Sequence, residues 1–203
     1  ELPHDPNLVR QLLASLARAQ LAPWAFEAVS ASLGARLGLG DRPMLLVRLA
    51  GSAPLVRAQQ ALLSTRGATE LVPDDVWARL RASDPPEAAV VRWSQRPVLF
   101  AETWAHAHAV AARTGGWVPA GRGRGMVRLG VPLPGALAPE EARELGVALG
   151  IPFAGTRIAE RLPETLWSSL APSPVMDRLS LGIRRAFDPH LVLNPGILGE
   201  ERS

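Results

Sequence analysis

The chain of 203 residues has no cysteine and no tyrosine, and all 22 of its basic residues are arginine, because lysine is absent too. Without thiols it can form no disulfide, no thiolate nucleophile and no thiolate metal site. Without lysine or tyrosine nothing titrates between histidine and arginine. The pI of about 11.0 therefore reflects composition rather than a strongly basic surface. A net charge of +3 over this length is mild and gives little reason to expect a nucleic-acid partner or a membrane surface. No uncharged apolar run of about 18 residues occurs, so no helix is expected to span a bilayer.

What is present suits a folded domain. Hydrophobic residues make up 47% and charged residues 20%, enough apolar surface for one sizeable core. Residues 1–203 read as a single domain. The first residue is Glu1, and a helix cap follows within a few positions, so the chain reads as a piece of a longer protein.

Asp5-Pro6 forms an N-cap and first-turn pair, and Leu8, Val9, Leu12, Leu13 and Leu16 share one helical face. Ala22–Val29 alternates as a strand that would bury Trp24. Leu33–Asp41 is a glycine-rich turn region, and Met44–Leu49 is a short strand. A helix opens at Ser52 and Pro54 and ends at Gly67. Ala68–Val72 fits a strand, and Asp74 or Asp75 caps a short helix. Ala89–Ser94 is a strand, Pro97 starts a helix that Gly115-Gly116 stop, and Trp117–Ala120 with Met126–Val131 form a hairpin. A helix from Pro139 to Gly150, a strand over Phe153–Ile158 and a helix from Pro174 to Phe187 complete the order. The hairpin and the short strands predict an α+β fold, an antiparallel sheet with helices mainly on one face, as in a ferredoxin-like cap domain.

Several motifs fail on inspection. Gly34, Gly38 and Gly40 lack the directly following helix of a dinucleotide fingerprint. Gly121-Arg122-Gly123-Arg124-Gly125 lies between two strands, so no helix N-terminus completes a phosphate cradle. It is also too short, and has no interleaved aromatics, for an RNA-binding box. His106 and His108 sit two apart on a helix and point to different faces, which suits solvated or capping roles rather than a metal site. No catalytic residue and no metal site is expected.

One pattern repeats in three strands: Leu46-Val47-Arg48-Leu49, Val90-Val91-Arg92-Trp93 and Met126-Val127-Arg128-Leu129. Alternation puts Arg48, Arg92 and Arg128 on the face opposite the valines. Guanidinium groups there could bind a carboxylate through paired contacts. The pattern equally fits an exposed face in a chain whose only cation is arginine.

The tail is Arg184-Arg185-Ala186-Phe187-Asp188-Pro189-His190-Leu191-Val192-Leu193-Asn194-Pro195-Gly196. Asp188-Pro189 forces the chain out of a helix. Asn194-Pro195-Gly196 is a second tight turn, and a short apolar plug lies between them. This segment resembles the C-terminal signature of FAD-linked oxidases of the vanillyl-alcohol-oxidase type, and in particular the E-subunit type of glycolate oxidase. Trp167, Pro172 and the helix carrying Met176, Leu179 and Ile183 fit that ending. Val91-Arg92-Trp93-Ser94 and Gly115-Gly116-Trp117 fit it as well. The likeness covers roughly residues 44–198.

Two departures separate the chain from the catalytic subunits. Their Gly-His-x-Gly-Asp-Gly-Asn loop corresponds to Pro119–Gly125, which has neither histidine nor acid. Their Gly-Glu-His segment is missing, and Glu160-Arg161 stands nearby without a histidine.

The resemblance implies a substrate-side domain of a FAD-dependent 2-hydroxy-acid oxidoreductase, in which hydride passes from the substrate α-carbon to the flavin. It implies a flavin-binding domain N-terminal to this one in the same chain. It implies partner subunits of the glycolate oxidase kind and a cytoplasmic setting, at most peripheral to a membrane through the complex. It places the open sheet face, with Arg48, Arg92 and Arg128, over a small 2-hydroxy acid, and brings Asn194 and Gly196 near the flavin. The alternative is a non-catalytic scaffold subunit domain that assembles such a complex. A ferredoxin-like ligand-binding module with no flavin link is a third reading.

Overall fold

The computed structural model describes residues 2, 5–121, 125–133, 135, 137–170, 178–190 and 192. The helix α1 (Pro6–Arg18) starts where the sequence predicts: the Asp5 carboxylate accepts from the Asn7 amide at 2.7 Å, and Pro6 fills the first turn. Val9, Leu13 and Leu16 face inward, whereas Leu8 lies half exposed. Strand β1 (Ala25–Val29) leads into α2 (Ala31–Arg36), then β2 (Met44–Arg48), α3 (Ala53–Ser64) and α4 (Val76–Arg81). Strand β3 (Ala89–Ser94) passes through a short 3₁₀ turn (Pro97–Leu99) into α5 (Phe100–Thr114). There follow β4 (Pro119–Gly121), β5 (Met126–Val131), α6 (Pro139–Leu149), β6 (Thr156–Arg161), α7 (Glu164–Leu170) and α8 (Arg178–Phe187).

The fold is α+β. Six strands form one antiparallel sheet in the order β2-β1-β4-β5-β3-β6. The run β3-α5-β4-β5-α6-β6 occupies the β4-β5-β3-β6 part of that order, which is the split βαβ arrangement of a ferredoxin-like unit. The antiparallel pair β1–β2 extends it beyond β4.

Alternation along the strands sorts the two faces. Ala89, Val91 and Trp93 of β3 and Val127, Leu129 and Val131 of β5 pack with Phe100, Trp104, Ala107 and Val110 of α5. Val9 and Leu13 of α1, Leu149 of α6 and Leu166 and Leu170 of α7 join the same core. The other face is not wholly open. A second, smaller core covers one end of it, where Val29, Leu46 and Val90 meet Leu33 of α2, Leu37 just after it, Val76 of α4, and Trp117. Trp117 bridges to Gly130 and lies flat on it: a Cβ at residue 130 would come within 2.3 Å of the indole.

Several elements differ from expectation. Ser30 caps α2, which runs into the supposed glycine-rich turn region, its hydroxyl accepting from the Leu33 and Val118 amides at 3.2 and 2.9 Å. A glycine in its middle and a length of six residues hide so short a helix from periodicity. Ala68–Val72 forms no strand, β6 runs later than Phe153–Ile158, and the helix expected from Pro174 is described from Arg178.

Trp24 is the clearest error among the core residues. It precedes β1, its amide donates to the Arg48 carbonyl at 2.7 Å, and its indole is 75% exposed beneath the Arg48 guanidinium. Trp93 and Trp117, by contrast, are 0% and 1% exposed. Truncating Trp93 to alanine is expected to cost about 3–5 kcal/mol, and truncating Trp24 less than about 0.5 kcal/mol. Urea denaturation midpoints of the two variants check this, and equal losses would contradict the strand boundary at Ala25.

Candidate functional site

The three arginines singled out in the sequence do share one sheet face, but only two of them meet. Arg92 and Arg128 are direct cross-strand partners on β3 and β5. Arg48 lies two residues beyond the row Leu46–Glu27–Gly121–Met126, and Arg128 lies two residues beyond it the other way. Arg48 and Arg128 are thus about 13 Å apart along the strands and about 14 Å apart across them. Arg48 belongs to a separate contact, its guanidinium 5.7 Å from the Trp24 ring centre.

Arg92 and Arg128 already hold carboxylates of this chain. Glu160, on the edge strand β6, reaches between them: Arg128 Nε donates to Glu160 Oε2 at 2.7 Å, and Arg92 Nε lies 3.0 Å from Glu160 Oε1. The Arg92 Nε–H is not aimed for a hydrogen bond, so that contact is one of charge. The register of β6 on β3 shifts between Val90 and Val91, beside Glu160. Asp84, from the loop after α4, adds a second anion: its Oδ2 is 2.8 Å from Arg128 Nη1, and its Oδ1 accepts from Trp117 Nε1 at 3.0 Å. The Arg36 guanidinium covers the other side of that indole, 4.1 Å from its centre. Two cations and two anions therefore balance on this part of the face, and an added carboxylate would have to displace Glu160.

Sequence reasoning missed Asp84 and Glu160. One sits in a stretch with no periodicity and the other follows a strand irregularity. The only signal was the near balance of 22 basic and 19 acidic residues, which leaves few arginines without a carboxylate within reach.

The histidines take packed positions rather than the solvated or capping ones expected. His106 sits between Trp93 and Phe153, with ring centres 5.1 and 5.0 Å away. Burial, with a smaller contribution from Arg157, holds its pKa below the usual histidine value. His108 leans on Trp104 at 4.4 Å. Among the described residues no group of three metal-ligating side chains gathers, and no helix is long and apolar enough to cross a membrane.

Asn194 and Gly196 lie outside the described residues, as do residues 122–124 of the β4–β5 loop. Gly38 and Gly40 adopt φ of 67° and 100° and turn the chain from α2 into a strand. The element that follows them is the strand β2 rather than a helix. No protein-family model and no curated protein matches the chain.

Two predictions follow from these contacts. Asp84→Asn keeps an acceptor for Trp117 and loses only the ion pair, so it is expected to cost about 1 kcal/mol or less and to converge on the parent in 1 M salt. Asp84→Ala also orphans the buried indole N–H and is expected to cost about 1–3 kcal/mol more. Denaturation at low and high salt separates the two. Because folding lowers the His106 pKa, the unfolded chain takes up a proton first as pH falls below about 6.5. Stability is expected to drop there, and a His106→Leu variant is expected to lack that component in a pH series of melting temperatures.

Proposed function

We propose that this chain is the C-terminal, substrate-side domain of a FAD-dependent 2-hydroxy-acid oxidoreductase of the glycolate oxidase E-subunit type. In this reading it packs against a flavin-binding domain of the same protein and against partner subunits, in the cytoplasm. The observation that carries it is the tail signature from Arg184 to Gly196. In the described part of that tail α8 ends at Phe187, and the buried Asp188 accepts from the Val192 amide at 2.9 Å, an ordered turn that is compatible with the reading. The ferredoxin-like strand order supports the reading as well.

Helix α8 adds a further argument. Leu179, Ile183 and Phe187 recur at four-residue spacing on one face and are 73%, 52% and 80% exposed. Large apolar side chains aligned outward are costly in an isolated chain and suit a surface that another domain covers. In this reading the flavin belongs to that other domain.

Within this reading, the pairing of Arg92 and Arg128 with Glu160 and Asp84 favours the scaffold form, in which the domain assembles a complex without gripping substrate. The two forms differ in a measurable way. The natural full-length protein is expected to purify yellow, with a flavin spectrum. A substrate-gripping domain would raise KM for glycolate or lactate about tenfold or more on Arg92→Ala or Arg128→Ala, the loss of a charged hydrogen bond; a scaffold leaves it unchanged. Deleting residues 190–203 is expected to weaken flavin retention and lower the melting temperature. A colourless full-length protein, or full flavin retention in the truncated one, overturns the family reading.

A further inference from the structure

At the far end of β3 and β6 the same sheet face opens into a cleft of about 480 Å³, lined by Ser94, Gln95, Arg96, Leu99 and the Ala154–Thr156 segment. We infer that this cleft is a binding site for the oxyanion group of a small molecule, a phosphate or a carboxylate, held by Arg96 with the hydroxyls of Ser94 and Thr156.

The site is built by close approach of backbone. Gly125, at φ 59°, lies so near the Gln95 carbonyl that a Cβ there would stand 2.1 Å from its oxygen. Gly155 presses on the same segment from the other side, where a Cβ would meet the Ser94 oxygen at 2.6 Å. The Gln95 amide donates to the Gly125 carbonyl at 3.0 Å. These contacts fix the backbone of residues 94–96. Ser94 and Thr156 are cross-strand partners and so present their hydroxyls side by side.

The electrostatics differ from those of the neighbouring arginines. Arg92 and Arg128 are occupied by Glu160 and Asp84, whereas the guanidinium of the exposed Arg96 makes no ion pair or hydrogen bond among the described residues. Among the described residues no acidic side chain lines the cleft. The 3₁₀ turn Pro97–Leu99 and the 15-residue helix α5 begin at its wall, and their N-terminal end adds positive potential. Gln95 brings a side-chain oxygen that is buried with no hydrogen-bond partner, an acceptor that a ligand hydroxyl could satisfy once the amide turns. Cation, paired hydroxyls and helix end are the groups that recognise an oxyanion.

The test is titration of this chain with inorganic phosphate and, separately, with acetate at constant ionic strength, read by backbone amide NMR shifts. Saturable shifts confined to residues 94–96 and 154–156 are expected. They should weaken about tenfold or more in Arg96→Gln, the loss of a hydrogen bond to a charged group, while the melting temperature stays that of the parent. Arg113→Gln, on the opposite side of α5's length, should bind as the parent does. Acetate competing with phosphate assigns the site to carboxylates as well; phosphate binding alone assigns it to phosphates. Non-saturating shifts spread over many arginines, or unchanged affinity in Arg96→Gln, overturn the inference. No flavin enters the measurement, so its outcome is independent of the family reading.

Discussion

Because side chains alternate along a strand, setting Arg92 opposite Arg128 also sets Val91 opposite Leu129 and Trp93 opposite Val127 on the other face. The β3–β5 pairing thus fixes two environments at once. One is the apolar layer that α1, α5, α6 and α7 cover. The other is the polar field that Glu160 and Asp84 neutralise. A slip of β3 by one residue would bury the Arg92 guanidinium under α5 and expose Trp93, so the apolar core holds the arginine cluster in register far more firmly than its own ion pairs do. Partly exposed pairs of this kind contribute little energy. They serve to orient side chains that the core has already brought together.

Arginine is the only strong cation here, and it performs several different tasks. Arg36 covers the Trp117 indole, Arg128 bridges two carboxylates, Arg157 donates to the Leu149 carbonyl and Arg161 to the Pro85 carbonyl. A planar group with five donors can satisfy backbone oxygens, stack on aromatics and pair with acids. The last two bonds also tie β6 to the end of α6 and to the loop before β3, positions that the sheet alone would not join.

The pattern of apolar residues was enough to read the fold class, the long helices and the central strands, because burial imposes periods of 2 and 3.6 on the sequence. It was enough to put Arg92 and Arg128 on one face. It could not give their partners. Whether Arg48 lies beside them depends on strand order, which inserts β1 and β4 between β2 and β5. Glu160 reaches them because β6 joins the sheet next to β3 across a long connection. Asp84 arrives from a loop. Trp24 misled for a related reason: it continues the alternation of β1 but stands one residue before the strand, where no helix covers it. Local pattern reports which residues want to be buried, and topology decides which of them are.

The sheet ends at β6, whose outer backbone groups are the natural template for another strand. The charges that fasten β6 inward also shape this rim. Glu160 and Arg161 are exposed on a strand of six residues, and Arg157 stands among them. A second copy approaching edge to edge would have to desolvate those charges, or pull Glu160 off its two arginines, before its backbone could pair. The cluster that neutralises the sheet face thereby discourages copies of the protein from joining into extended sheets.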